Sequence, residues 1–93
     1  MNKSEKLSLI EGQFSPEDAK LILINIFLTK INYHELRNLS SKEKFGEEDQ
    51  FASKRISELK GSIDKMLHLF KDAELKKKKL TITSEIVISI SDS

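Results

Sequence analysis

Residues 52–73 read ASKRISELKGSIDKMLHLFKDA, and this stretch decides the fold. Its apolar residues recur at alternating spacings of four and three: Ala52, Ile56, Leu59, Ile63, Met66, Phe70 and Ala73. That period places all seven on one narrow face of a helix, a seam that packs best along a second long helix. The pattern therefore predicts a helix over about residues 47–75 with one long helical neighbour.

The neighbouring helix is predicted immediately upstream, where Ser15-Pro16-Glu17-Asp18 has the composition of a helix start. A serine hydroxyl can accept a hydrogen bond from a free backbone N–H, proline suits the first helical position, and acids favour the positive end of the helix dipole. We expect this first helix over about residues 16–39. The polar segment 38–46, in which Ser40 and Glu43 have capping-box spacing, is then the connection between two antiparallel helices.

The first helix carries two apolar surfaces. A broad arc is expected to meet the core: Leu21, Leu23, Ile24, Phe27, Leu28 and Ile31. A second, narrower stripe consists of Ile22, Ile26 and Tyr33. We favour a stripe covered by the sheet, because a helix between a sheet and another helix is apolar on two sides. The alternative interpretation is a dimer or partner surface.

Two strands are predicted at the ends of the chain. In residues 6–10, Leu7 and Leu9 alternate with polar residues before Gly12 breaks the pattern. After residue 79 the apolar period changes to two, which predicts a half-buried antiparallel strand over about residues 80–91. One face of this strand holds Leu80, Ile82, Ser84, Ile86, Ile88 and Ile90, and Val87 is the single apolar exception on the other face.

The predicted fold is α+β with the order β-α-α-β, in which an antiparallel helical hairpin packs on a small antiparallel sheet formed by the terminal strands. A chain of 93 residues is expected to form a single domain, residues 1–93, around one core. Two strands alone are marginally stable, and the long second strand would exceed its short partner. Unpaired backbone along that strand is the best functional clue in the sequence.

Composition narrows the possible function classes. Sixteen Lys and Arg nearly cancel fifteen Asp and Glu, so the net charge gives no strong attraction to nucleic acid or to an anionic membrane. The chain contains no cysteine, which removes disulfides, thiolate metal sites and cysteine nucleophiles. Residues 1–15 show no export signal and no apolar run is long enough to cross a bilayer, so a cytoplasmic location without a membrane span is expected.

A polar cluster near the end of the first helix is the candidate for chemistry: His34, Glu35 and Arg37. His34 and His68, the only histidines, do not converge in an antiparallel hairpin, and no spacing matches a known nucleophile, phosphate or metal motif. His34 is interpreted as a histidine at the border of the core, and His68 as solvated. We therefore predict no catalytic residue, no cofactor and no metal, and a small enzyme or ligand-binding protein is the second alternative function.

The only charge run consists of Lys76, Lys77, Lys78 and Lys79. These lysines can stabilise the negative end of the second helix, guard the β-rich tail against aggregation, or contact the phosphates of a nucleic acid. Nucleic-acid binding normally adds a broader basic face or stacking aromatics, whereas acidic residues dilute the charge here. We favour the structural interpretations, with weak nucleic-acid binding as the first alternative function.

Two stretches carry a resemblance: Phe14-Ser15-Pro16-Glu17-Asp18-Ala19 and Asn38-Leu39-Ser40-Ser41-Lys42-Glu43-Lys44-Phe45-Gly46. They resemble stretches of small uncharacterised bacterial proteins of this length. The resemblance implies a compact bacterial cytoplasmic domain, and it brings no activity, substrate or site.

Taken together, the sequence favours a small non-catalytic protein-interaction or structural module that forms a homodimer or binds another protein. The expected contact surface combines the exposed strand with the second helical stripe: Ile22, Ile26, Tyr33, Ile86, Ile88 and Ile90.

Overall fold

The computed structural model describes residues 3–91. The elements follow in the order β1 (Lys3–Phe14), α1 (Pro16–Phe45), α2 (Gln50–Leu75) and β2 (Leu80–Ile90). The two strands pair antiparallel in one two-stranded sheet. The predicted α+β class and the β-α-α-β order are therefore confirmed.

The seam of α2 packs against α1, as its spacing predicts. All seven seam residues are buried or half-buried, whereas Phe51, Leu69 and Leu75 on the other faces of α2 are 70%, 61% and 74% exposed. Pro16, at the start of α1, lines one groove with Phe70 near the end of α2. The two helices consequently run antiparallel and form a hairpin.

The first helix is longer than predicted. Its start is confirmed, since the Ser15 hydroxyl accepts from the Asp18 backbone N–H at 3.1 Å. The helix continues to Phe45, however, and stops where Gly46 adopts a left-handed conformation with φ 76° and donates its N–H to the Lys42 carbonyl. Polar residues are tolerated on the exposed surface of a helix, and the helix ends at a residue in the left-handed conformation, here Gly46. The prediction that residues 38–46 form the connection is wrong, because the connection is residues 46–49.

Strand β1 is also longer than the predicted residues 6–10. Gly12 does not break the strand, because it pairs with Ile82 while its φ of 147° lies in a region that other residues rarely adopt. The long β2 strand offers backbone partners along the whole of β1, down to Phe14 opposite Leu80. The expectation that β2 exceeds a short partner is therefore wrong. Within residues 3–91, only the outer edge of each strand lacks a neighbouring strand.

The sheet projects from the helical hairpin and does not lie flat on it. Contacts between the strands and α1 are sparse compared with those within the sheet and within the hairpin. The radius of gyration is 16.9 Å, whereas about 12 Å is typical of a compact chain of this length. The predicted packing of helices on the sheet is thus limited to the end of the sheet nearest the hairpin.

The buried core is small. Its apolar members within residues 3–91 are Ile10, Ala19, Ile31, Ala52, Leu59, Phe70 and Ala73. Of the predicted core arc only Ile31 belongs to it, since Leu21 is 65% exposed, Leu28 is 50% exposed and the other three residues are half-buried. A single neighbouring helix covers a narrower sector of α1 than the predicted arc spans. Leu21 and Leu28 therefore face solvent in the single chain.

Phe70 provides a direct test of the hairpin. A charge at this position enters the seam without a partner, so we expect Phe70→Asp to abolish cooperative folding. Leu69→Asp, at an exposed position on the same helix, should change the free energy of unfolding by about 0.5 kcal/mol or less. Circular dichroism during urea unfolding distinguishes the two variants. A Phe70→Asp protein that melts like the parent would contradict the seam.

Candidate functional site

A register shift gives the sheet one apolar face. Residues from Lys3 to Ser8 pair with Ile90 to Glu85, and after the shift Ile10 pairs with Ser84. Leu9 is the extra residue of this β-bulge, so Leu7 and Ile10 share one face although their spacing is odd. That face, called the apolar sheet face below, carries two charged residues at its outer end, Lys3 opposite Ile90 and Glu5 opposite Ile88. Its other members are Leu7, Ile10, Gly12, Phe14, Leu80, Ile82, Ser84 and Ile86.

The apolar sheet face is covered at one end only. Near the hairpin, Ile10 is 8% exposed, and Phe14 and Ile82 are half-buried. Farther away, the exposure of the β2 side chains rises from 39% at Ile86 to 54% at Ile88 and 63% at Ile90. The predicted contact residues of β2 therefore form an apolar arm, residues 86–90, that the chain itself leaves open to solvent.

The second stripe of α1 is only partly covered. Ile22 is half-buried, whereas Ile26 is 39% exposed and Tyr33 is 48% exposed. The Lys30 ammonium lies 4.7 Å from the centre of the Tyr33 ring, a cation–π arrangement at the surface. The prediction that the sheet covers this stripe is wrong, because the sheet projects away from the hairpin.

The residues of the predicted polar cluster do not converge. His34 is buried at 5% exposure, while Glu35 and Arg37 are exposed on other faces of α1. The polar network at this end instead runs from the Asn38 amide, which donates to the Ser53 hydroxyl at 3.0 Å, to Glu48, which accepts from that hydroxyl at 3.2 Å. Asn38 lies one helical turn beyond His34, and this spacing was the signal that sequence reasoning missed.

His34 packs between aromatic rings. Its ring meets Tyr33 at 5.2 Å and Phe51 at 6.4 Å between centroids, both edge to face. The Nε2 atom is buried without a hydrogen-bond partner within residues 3–91. A ring in this setting serves as a packing element, as the sequence interpretation of a histidine at the border of the core expects.

The electrostatic setting of His34 disfavours its charged form. Burial lowers the pKa of His34 below 6.5, and the positive charges of Lys30, Arg55 and Arg37 lower it further, while Asp49 opposes them. The imidazole is consequently held in its neutral state at neutral pH.

The lysine run ends α2. The Lys77 N–H donates to the Glu74 carbonyl at 3.2 Å and the Lys78 N–H donates to the Ala73 carbonyl at 2.9 Å, which are the two hydrogen bonds of a Schellman motif. Lys77 has a φ of 54°, the left-handed conformation that glycine usually supplies at this position. The Lys76 ammonium also pairs with the Asp72 carboxylate at 3.1 Å. These contacts support the structural interpretation of the run as a helix terminus.

The helices and the acidic and histidine side chains also bear on the kind of site. No helix within residues 3–91 is long and apolar enough to cross a membrane. The same part of the chain holds no group of three or more histidine or acidic side chains placed to bind a metal ion.

Protonation of His34 is expected to weaken the fold. Because its pKa is lower in the folded than in the unfolded chain, its contribution is complete above about pH 6.5 and declines as the pH falls below that value. We expect the urea midpoint of His34→Gln to fall less than that of the parent between about pH 7.5 and pH 5.5. His68→Gln, at an exposed position, is the matched control for the loss of an imidazole. Identical pH profiles for His34→Gln and the parent would contradict this role.

Lys77→Gly is expected to stabilise the protein. Glycine removes the steric cost of the left-handed conformation, which outweighs its greater freedom in the unfolded chain, for a gain of about 0.5–1 kcal/mol. Lys79→Gly removes the same charge outside the motif and should bring no gain. Urea unfolding compares the two, and a Lys77→Gly protein no more stable than Lys79→Gly would contradict the assignment.

Comparison of the chain with protein families, curated proteins and solved structures finds no match.

Proposed function

We propose that this chain is a non-catalytic protein-interaction module that works as a homodimer. The observation that carries the proposal is the apolar arm, whose isoleucines lie exposed on a sheet that projects away from the helices. Exposed apolar patches of this kind on a folded chain are typical of interaction surfaces.

The amount of exposed surface supports the proposal. The chain exposes 7646 Å², whereas a compact monomer of its 10.7 kDa mass exposes about 5500 Å². A standard interface covers about 800 Å² on each partner, and obligate dimers cover more. The excess of about 2100 Å² is thus of the size that a permanent partner covers.

The stability of the sheet supports it as well. A two-stranded sheet is marginal in water unless a third strand or a packed layer covers its apolar face. Helices cover that face near Ile10 and Phe14 but not at Ile88 or Ile90. A partner surface supplies the missing cover, and a second copy supplies it without any other gene product.

The proposal assigns no catalysis and no nucleic-acid contact. His34 is buried among aromatic rings, and the Lys76 ammonium is paired with the Asp72 carboxylate. The groove beside the remaining lysines is also lined by Glu17 and Glu74, whose charges oppose binding of phosphate. These contacts favour the interaction module over both alternatives that the sequence left open.

Light scattering tests the proposed homodimer. At about 50 µM we expect a mass of twice 10.7 kDa for the parent. Ile88→Asp places a charge on the apolar arm and should yield the monomer mass, because an unpaired charge in an interface costs several kcal/mol. Thr81→Asp, on the exposed polar face of the same strand, should remain dimeric. A parent of 10.7 kDa at every concentration would contradict the proposal.

A further inference from the structure

We infer that two copies join through the outer edge of β2, with the β2 strands antiparallel across a two-fold axis at Val87. This pairing rests on the homodimer proposed above and specifies its geometry. The resulting four-stranded sheet has the order β1-β2-β2-β1, with the two inner strands contributed by different chains.

The two outer edges of the sheet differ in how well they are protected. Natural edge strands carry charges, bulges and irregular backbone that prevent pairing with other chains. β1 has all of these devices: a bulge at Leu9, a positive φ at Gly12, and the charged residues Lys3, Glu5, Lys6 and Glu11. β2 has one charged residue, Glu85, and neither a bulge nor a glycine in its 11 residues. The unprotected edge is therefore that of β2.

A second copy fits this edge because antiparallel pairing of two identical strands is itself two-fold symmetric. A partner strand from another protein would have to match the alternation of β2, whereas β2 of a second copy matches it at once. The rotation axis stands perpendicular to the sheet, so the apolar sheet faces of both copies continue on the same side.

The position of the axis follows from the side chains of β2. Symmetry requires that a residue on the apolar sheet face meets one on that same face, which allows an axis at a residue such as Glu85, Ile86, Val87 or Ile88. An axis at Glu85 or Ile86 brings two Glu85 carboxylates opposite or diagonal to one another, which disfavours pairing. An axis at Val87 places Ile86 opposite Ile88 and Glu85 opposite Ser89 of the second copy.

This register also explains why an apolar residue stands at position 87. It is the one apolar residue on the otherwise polar face of β2, and it is 56% exposed. At the axis the two Val87 side chains lie opposite one another as a cross-strand pair of β-branched residues, which stabilises a sheet. An axis at Ile88 would instead leave each valine opposite a serine.

The antiparallel arrangement would place the apolar arms of the two copies side by side. With the axis at Val87, Ile90 of one copy lies opposite Ser84 of the other, where the sheet is close to its own hairpin. The exposed end of each arm is thereby brought beside the covered end of its partner. Both helical hairpins lie on the same face of the combined sheet, one at each end.

Single cysteines test the register, because the natural chain has none. The Val87 Cα atoms of the two copies would lie about 4.5–5.5 Å apart, within the range that a disulfide spans. The Thr81 Cα atoms would lie about 40 Å apart, because each is six residues from the axis. The Lys6 Cα atoms on the outer strands would lie about 14 Å apart.

We expect Val87→Cys to form disulfide-linked dimers under mild oxidation at a rate on the order of tenfold or more above Thr81→Cys and Lys6→Cys. The three proteins are compared at about 50 µM on non-reducing gels, with urea-unfolded samples as the measure of random collision. Circular dichroism checks that each variant folds.

The outcomes separate this inference from the proposed function. Fast linkage of Val87→Cys alone supports the β2 pairing. A parent that has dimer mass by light scattering, but whose Lys6→Cys variant links faster than Val87→Cys, overturns the β2 edge and leaves the homodimer standing. A dimeric parent in which no variant links faster than its unfolded control overturns the pairing in the same way. A monomeric parent, whose apolar arm would then be open to a different protein, overturns both the β2 pairing and the proposed homodimer.

Discussion

The packing of α1 against α2 along one narrow seam is the contact on which the rest of the structure depends. It uses small side chains at both ends of the seam, Ala52 and Ala73, and larger ones between them, of which Leu59 and Phe70 are buried. Because a single helical neighbour covers only part of each helix, the hairpin buries its seam and leaves other apolar residues in solvent. The sheet receives little cover from this hairpin, and its outer half is free to meet another chain.

The β-bulge links this arrangement to the exposed surface. By adding Leu9 it places Ile10 on the same face as Leu7, so that the apolar residues of both strands share one face from the hairpin to the Leu7–Ile86 pair. The same bulge disturbs the outer edge of β1. One irregularity thus shapes the apolar face and at the same time makes the two edges of the sheet unequal, which is why we propose β2 as the edge that pairs with a second copy.

Sequence periodicity was sufficient to predict the elements in which apolar residues recur at a regular spacing. The seam from Ala52 to Ala73 and the alternation of β2 were predicted correctly, because each period determines which side chains share a face. The end of α1 and the extent of β1 were not, since Gly46 ended a helix where the polar residues before it suggested a loop, and Gly12 continued a strand where glycine suggested a break.

The prediction of which face of α1 is covered differed from the structure for a related reason. Which face of α1 is covered depends on the angle between the hairpin and the sheet, and no local pattern encodes that angle. The stripe of Ile26 and Tyr33 was therefore expected beneath the sheet and lies in solvent. The exposure of Ile86, Ile88 and Ile90 was predictable because it follows from an alternating strand in a sheet with too few layers.

Hydrogen exchange at the β2 amides, measured as a function of protein concentration, tests the role of this strand most directly. If a second copy pairs with the β2 edge, protection within residues 86–90 rises as the concentration is raised from about 1 to about 100 µM, while protection in the seam of α2 rises less. Exchange at residues 86–90 that is fast and independent of concentration would contradict it.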